Sequence, residues 1–477
     1  MPLIVPGNVA TATAATTYDI ANSIKFNDDD SAYLKKARGD MTTATDQKKF
    51  TVSVWVKRSE VGDAGMIWSA YHNATNNLEI EFNDDDTLRF QNTTSGVNSN
   101  YVTNREFRDV SAWYHIMYIV DTTDSTAGDR QQIWINGVRE TSFSTSVSFN
   151  EDAIPEQGST DIDMYVGREG GGSNYFDGYI AENVFIDGTA YAATSFGEFD
   201  EDSPTIWKPK DVSGLTFGNN GYHLDFEASG NLGNDINGGT DFAETNVAAT
   251  DQTTDTPTNS FCTFMSHTTG SYTTLSEGGL ITTGNTASDN GNSLASFGMT
   301  NGKWYWEFEW DNIVSGYGVV GVIDTSDDEF GHQGLNGGAG YAVPNGYNIS
   351  TGGNMSNGSS EESGWAADYS AGNILGMALD MDNGAWYLHL NGTYYDSGDP
   401  TSGGSKTGAV VGWTPNGKTL VPWDATFNGS ITKYNFGNPS FTISSGNADA
   451  NGYGNFEYAV PSGYFALCTK NLGESGG

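Results

Sequence analysis

Glu79 and Glu81 stand two residues apart in Leu78-Glu79-Ile80-Glu81-Phe82. On an extended strand residues i and i+2 share a face, so both carboxyls can reach one cleft. Paired carboxyls are the tools of glycoside hydrolysis, one acting as acid and the other as nucleophile or base. The same spacing is also what one face of a half-exposed strand presents, so the pair alone does not make an enzyme. Asp28, Asp29, Asp30 and Asp84, Asp85, Asp86 offer hard oxygen ligands of the kind calcium takes. They lack EF-hand spacing, and runs of Asp are also ordinary turn chemistry. The six histidines, His72, His115, His223, His267, His332 and His389, form no close pair at metal-binding spacing. Gly170-Gly171-Gly172 lacks the Lys of a phosphate loop.

Aromatic rings in loops form the other chemical resource. Tyr341, Tyr347, Trp365, Tyr369, Tyr394 and Tyr395 lie among Gly, Asn and Ser. Such rings can stack on sugar faces while neighbouring amides and carboxyls take the hydroxyls. These six residues are the expected ligand-binding set. The competing expectation is that they cover loops or meet a neighbouring subunit.

The elements that must position these residues read as strands. Phe50-Thr51-Val52-Ser53-Val54-Trp55-Val56-Lys57 alternates with period two, as does Lys303-Trp304-Tyr305-Trp306-Glu307-Phe308-Glu309-Trp310. Asn136-Gly137 and Asn391-Gly392 are favoured hairpin turns. Helical periodicity is scarce, so the fold class is all-β: two antiparallel β-sandwiches in tandem. The expected divisions are an N-terminal arm 1–20 for attachment or assembly, a sandwich 21–197, an extended connector 198–260 rich in Asp, Gly, Asn and Thr, a second sandwich 261–472, and a tail 473–477.

The net charge is −39, from 21 Lys and Arg against 60 Asp and Glu. Such a surface repels nucleic-acid phosphates and anionic lipid, so neither is an expected partner. Every Arg lies between Arg38 and Arg168. Cys262 and Cys468 fall at the two ends of the second sandwich, where a bridge or two reduced thiols are both open. The chain start shows no basic n-region, and no apolar run has membrane-spanning length, so synthesis as a soluble cytoplasmic protein is expected.

Several segments resemble known families. Ile24-Lys25-Phe26 with Ser31-Ala32-Tyr33-Leu34, Phe50 to Lys57, Ala112-Trp113-Tyr114-His115-Ile116, Trp134-Ile135-Asn136-Gly137-Val138 and Phe176-Asp177-Gly178-Tyr179-Ile180-Ala181-Glu182 resemble the laminin-G-like, concanavalin A-type sandwich. Some members of that group bind calcium, and its laminarinase-type relatives carry an acid pattern with an intervening Asp and a third acid; here Ile80 separates the two Glu, with Phe82 and Asn83 following. Gly302-Lys303-Trp304-Tyr305-Trp306-Glu307, Gly372 to Asp380, Leu390-Asn391-Gly392, Leu420-Val421-Pro422-Trp423 and Asn435-Phe436-Gly437 resemble a SPRY domain. The order of the two, with Tyr222-His223-Leu224-Asp225-Phe226 between them and Pro461 to Leu472 after, is similar to bacteriophage tail-fibre and related virion proteins. The resemblance implies a non-enzymatic tail fibre or receptor-binding protein exposed on the particle. It would be homo-oligomeric, with a trimer favoured, and would contact other virion proteins and a host glycan or surface protein. A head fibre or capsid decoration protein, a glycan depolymerase and a secreted adhesin are the rival readings.

Overall fold

The computed structural model describes residues 18–285, 291–314, 318–325, 346–351, 353–356, 361–362 and 369–475. The chain divides into two compact units, with the boundary between Thr258 and Asn259.

The first unit begins with β1 (Ser23–Phe26), β2 (Tyr33–Lys36), β3 (Lys49–Arg58), β4 (Gly65–Asn73), β5 (Asn76–Phe82), β6 (Thr87–Thr94) and β7 (Val97–Glu106). There follow β8 (Tyr114–Asp121), β9 (Gln131–Ile135), β10 (Val138–Arg139), β11 (Phe143–Val147), β12 (Asp163–Val166) and β13 (Gly178–Asp187). Five short strands complete it: β14 (Gly197–Phe199), β15 (Trp207–Pro209), β16 (Tyr222–Leu224), β17 (Ala243–Thr245) and β18 (Gln252–Thr253). Among the described residues one sheet has the order β10-β9-β8-β3-β13-β1-β18, with β16 also on β13, and the other β11-β7-β6-β5-β4-β12-β2-β17. The alternation of β3 explains the layering. Phe50, Val52, Val54 and Val56 join Leu78, Ile80, Phe82, Leu88 and Phe90 in one core between the sheets, while Trp55 faces a second cluster on the far side. The expected hairpin turn is present, with Asn136 at φ 48° and Gly137 at φ 73° between β9 and β10. Gly137 is also required by packing, because a Cβ there would lie 2.2 Å from the Trp207 ring.

Residues 198–258 are not an extended connector. Trp207, Val212 and Phe217 cover the far side of the β3/β8/β13 layer. β16 then pairs with β13, β17 extends the second sheet beside β2, and β18 extends the first beside β1. Asp255 closes the unit. Its Oδ2 lies 2.8 Å from Lys57 Nζ, its Oδ1 accepts from Trp113 Nε1 at 3.0 Å, and its main-chain carbonyl accepts from Ser23 Oγ at 2.6 Å. The polar composition that suggests a linker supplies these pairings instead. Of the expected arm 1–20, residues 1–17 lie outside the described residues, and Ile20 is buried against the first sandwich.

The second unit comprises β19 (Thr273–Ser276), β20 (Ile281–Gly284), β21 (Gly291–Leu294), β22 (Lys303–Asn312), β23 (Val319–Asp324), β24 (Gly346–Ser350), β25 (Met355–Ser356) and β26 (Glu361–Glu362). It ends with β27 (Ile374–Asp380), β28 (Ala385–Leu390), β29 (Thr393–Tyr394), β30 (Val411–Gly412), β31 (Leu420–Thr426), β32 (Ile431–Asn435), β33 (Phe465–Ala466) and a short helix, α1 (Thr469–Ser475). Its sheets run β19-β20-β32-β22-β27-β28-β29 and β21-β31-β23-β24-β25-β26. Trp304, Trp306, Phe308 and Trp310 of β22 point into the core. Tyr305 points the other way, into a cluster with Phe456, Tyr464 and Cys468 from the C-terminal segment. Glu307 pins that segment, accepting from the main-chain N–H groups of Glu457 and Tyr458 at 2.9 and 2.8 Å. Cys262 and Cys468 are both fully buried thiols without a disulfide, and burial pushes the Cys468 thiol up to about 12.

Candidate functional site

The polar face of the second sheet of the first sandwich gathers the residues best suited to chemistry. In β5 the inward positions are Leu78, Ile80 and Phe82, which leaves Asn77, Glu79 and Glu81 on the opposite face. The turn at Asn83–Asp86 sets the register with β6, placing Glu79 opposite Gln91 and Glu81 opposite Arg89. Across the next pairing Gln91 lies opposite Asn100 of β7, and on the other side Glu79 lies opposite Ser69 of β4.

Arg89 organises the two acids. Its Nη2 lies 3.4 Å from Glu79 Oε2 and in close contact with Glu81 Oε1. Gln91 Nε2 donates to Glu79 Oε2 at 3.4 Å, and Asn174 Nδ2 donates to Glu81 Oε2 at 3.3 Å. Burial pushes the Glu79 carboxyl up to about 7 against the pull of Arg89, and burial also raises Glu81. The β12–β13 loop closes over this floor. Arg168 stacks on Tyr33 and Tyr165, 4.1 and 4.7 Å from the ring centres. Gly170 lies flat on Tyr71, where a Cβ would meet the ring at 2.1 Å. Four buried polar atoms here have no hydrogen-bond partner among the described residues: Asn77 Oδ1, Arg89 Nε, Asn100 Oδ1 and Arg168 Nε. These four atoms lie in or beside the polar face.

An acidic group lies at one end of the same sandwich. Asp28, Glu60 and Asp63 bring carboxylate oxygens within 4.8 Å of one another, beside a cavity of about 20 Å³ also lined by Arg58 and Asp177. Burial, then the neighbouring Asp29, raises Asp28; burial, then Asp28, raises Glu60. Arg58 offsets this group only in part: its charge pulls Glu60 down and its Nη2 donates to the Asp63 main-chain carbonyl at 3.3 Å, while its Nη1 lies 2.9 Å from Asp86. The three carboxylates supply hard oxygen donors, fewer than the six to eight that calcium takes, so waters or main-chain carbonyls would have to complete any such shell. Of the six expected Asp ligands only Asp28 takes part. Asp29, Asp30, Asp84 and Asp85 are exposed, and Asp86 is bound to Arg58 and to Arg108 at 2.8 Å.

Four of the six expected stacking rings are among the described residues, and each packs against the protein itself. Tyr341 and Trp365 lie outside the described residues. Tyr347 is buried and stacks on Trp413 with centres 4.9 Å apart, and Tyr369 is buried against Trp310 at 4.8 Å. Tyr394 and Tyr395 are half-buried; Tyr394 packs on His389 and Tyr395 on the second core. Tyr347 and Tyr394 belong to the short strands β24 and β29, whereas Tyr369 and Tyr395 lie in turns that fold back on the core. The histidines are scattered. His115 takes a hydrogen bond on Nδ1 from Trp207 Nε1 at 2.9 Å, so its Nε2–H donates to Ser53 Oγ at 2.8 Å; that polarity is the reverse of an activated serine. Arg89, Gln91, Asn100 and Asn174 are the residues sequence reasoning missed. The hairpin alternation of β5 and β6 could have placed Arg89 and Gln91 beside the two Glu, whereas Asn174 comes from a distant loop.

Residues 28–193 match the concanavalin A-like lectin/glucanases superfamily. This stretch contains both the polar face and the acidic group. Among solved structures, the SPRY domain of human HERC1 is similar at 18% identity over 36% of this chain and 96% of that one, with a TM-score of 0.27. A putative carbohydrate binding protein from Bacteroides ovatus has 16% identity over 48% of this chain and 59% of its own, with a TM-score of 0.31. The heptameric SAP-like pentraxin from Limulus polyphemus has 18% identity over 36% and 78%, with a TM-score of 0.27. No curated protein matches the chain.

Proposed function

We propose that this chain is a virion attachment protein that binds a glycan on the polar face of its first sandwich without cleaving it. The observation that carries the reading is the Glu79–Arg89–Glu81 cluster, ringed by amides and by buried polar atoms lacking partners. Hydroxyl-rich ligands suit such a surface, since each hydroxyl both donates and accepts. Binding without cleavage is favoured because Arg89 already holds both carboxyls, one guanidinium nitrogen reaching each. Asp28, Glu60 and Asp63 would hold calcium at the end of the same sandwich, fixing the loops after β1 and β3. Placement on a phage tail rests on the sequence resemblance described above; a head-fibre position is its rival.

Binding is tested by presenting labelled full-length protein to an array of bacterial surface polysaccharides. Wild type is expected to retain a subset that Gln91→Ala and Asn100→Ala lose, with unchanged thermal melting. Retention unaffected by both substitutions would remove the polar face from the reading. The raised Glu79 carboxyl favours a second reading, a depolymerase using it as general acid. New reducing ends after incubation with the retained polysaccharide, lost in Glu79→Gln, would establish that reading instead.

A further inference from the structure

We propose that the β11 end of the first sandwich is where a second copy of this chain docks, edge to edge. The starting point is electrostatic. Two copies, each at −39, repel over most of their surface. They can approach closely only where neither presents charge. β11 reads Phe-Ser-Thr-Ser-Val, and Thr141, Ser142, Ser148 and Phe149 on either side are also uncharged. The adjoining strand β7 carries no charge from Val97 to Asn104. The neutral zone is therefore two strands wide, and it exposes Val97 at 67% and Val147 at 48%.

The other sheet ends of this sandwich are different. β17 contains Glu244, β10 contains Arg139, and β18 is two residues long and follows Asp251; Glu140 caps the start of the β11 segment, accepting from the Thr141 and Ser142 N–H groups, with its charge paired to Arg105 at 3.1 Å. Charge and shortness are the usual protection of a sheet edge against pairing with another chain. Among the described residues β11 terminates its sheet, and it carries neither a charged residue nor a proline. The chain also braces this strand from inside: Gln131 Nε2 holds the Val147 carbonyl at 2.9 Å, and Tyr101 OH bonds Ser148 Oγ at 2.8 Å. A rigid, neutral, partly apolar edge on a strongly acidic protein fits a copy of itself, which carries the same neutral edge and can pair about a two-fold axis.

The test is sedimentation equilibrium on the full chain. A species near twice the 51.0 kDa chain mass is expected, and its share should rise between about 0.1 and 0.5 M NaCl as screening weakens the repulsion. Val147→Asp should weaken association at least about tenfold, because it puts a charge on an edge whose pairing depends on neutrality. Mixing Val147→Asp with Val147→Lys should restore it. Unchanged thermal melting of each variant separates lost docking from lost folding. The proposal is overturned by a wild type that stays at the single-chain mass in high salt. It is equally overturned by an odd-numbered assembly, or by a dimer that Val147→Asp leaves intact.

Discussion

Replacing Asp255 by Ala should unfasten the first sandwich from its far end. Asp255 and Lys57 are 0% and 1% exposed at the side chain and 2.8 Å apart. Lys57 Nζ also lies 5.2 Å from the Tyr179 ring centre. Removing one member of a buried pair strands the other charge, at a cost of about 3–5 kcal/mol. The substitution also leaves Trp113 Nε1 without its acceptor. For a unit of this size each kcal/mol is worth roughly 2–4 °C in melting temperature, so a fall of about 10 °C is expected. Differential scanning calorimetry on a fragment spanning residues 18–258 reads it directly. The double substitution Lys57→Met with Asp255→Leu should recover much of the loss, because no charge is then buried alone. A fragment ending at residue 197 should fail to melt cooperatively, since it lacks β16, β17, β18 and the Trp207 cover. If Asp255→Ala melts within about 2 °C of wild type, below the loss expected from a stranded charge, or the 18–197 fragment melts cooperatively, the account of residues 198–258 as part of this sandwich is refuted.

Two further outcomes follow from the same unit. Calcium should raise its melting temperature, with about 2.7 kcal/mol of stabilisation at a hundredfold excess over Kd; Asp63→Asn should abolish the rise, and an EGTA-insensitive melt in wild type would count against the triad. His115 is held neutral because burial lowers its pKa from 6.5 to about 3. The unfolded chain takes up that proton below pH 6.5 and the folded chain only near 3, so stability falls as pH drops through this window, by about 1.4 kcal/mol per unit. Glu79 acts in the opposite sense: its raised folded pKa makes its contribution full below 4.5 and lost as pH rises towards 7. Urea midpoints across pH should therefore lose one proton's worth of acid slope in His115→Gln relative to wild type, and identical slopes would contradict the assignment.

Much of the architecture was legible because strands announce themselves by period two. The alternation of 50–57 and 303–310 gave the inward residues of β3 and β22, and Asn136-Gly137 and Asn391-Gly392 gave two hairpins. Residues 198–258 were not legible, since β14 to β18 are two or three residues long and too short for alternation to register. β14 and β15 pair with each other, but the partners of β17 and β18 lie far away in sequence, as with Thr253 opposite Ser23. The candidate site was half legible. Glu79 and Glu81 stood out by type and spacing, while Arg89 and Gln91 needed the hairpin register, and Asn174 needed the tertiary fold. The pentapeptide Phe-Asn-Asp-Asp-Asp occurs at 26–30 and again at 82–86 and reads as turn composition. Both copies form turns near Arg58, which lines the cavity beside Asp28 and pairs with Asp86.

The latch at Asp255 also bears on how the chain folds. β1 reaches its two neighbours only when β13 and β18 have been made, and Ser23 pairs with a residue 230 positions later. The second unit is joined in the same way, with Phe261 bridged to Cys468. Closing such long loops comes at an entropic cost before any contact is gained, and folds rich in distant pairings form slowly. During synthesis the β1 edge therefore stays unpaired until nearly the whole sandwich has left the ribosome. Each unit commits late and as a whole, which favours a chain whose acidity keeps its unfinished forms apart.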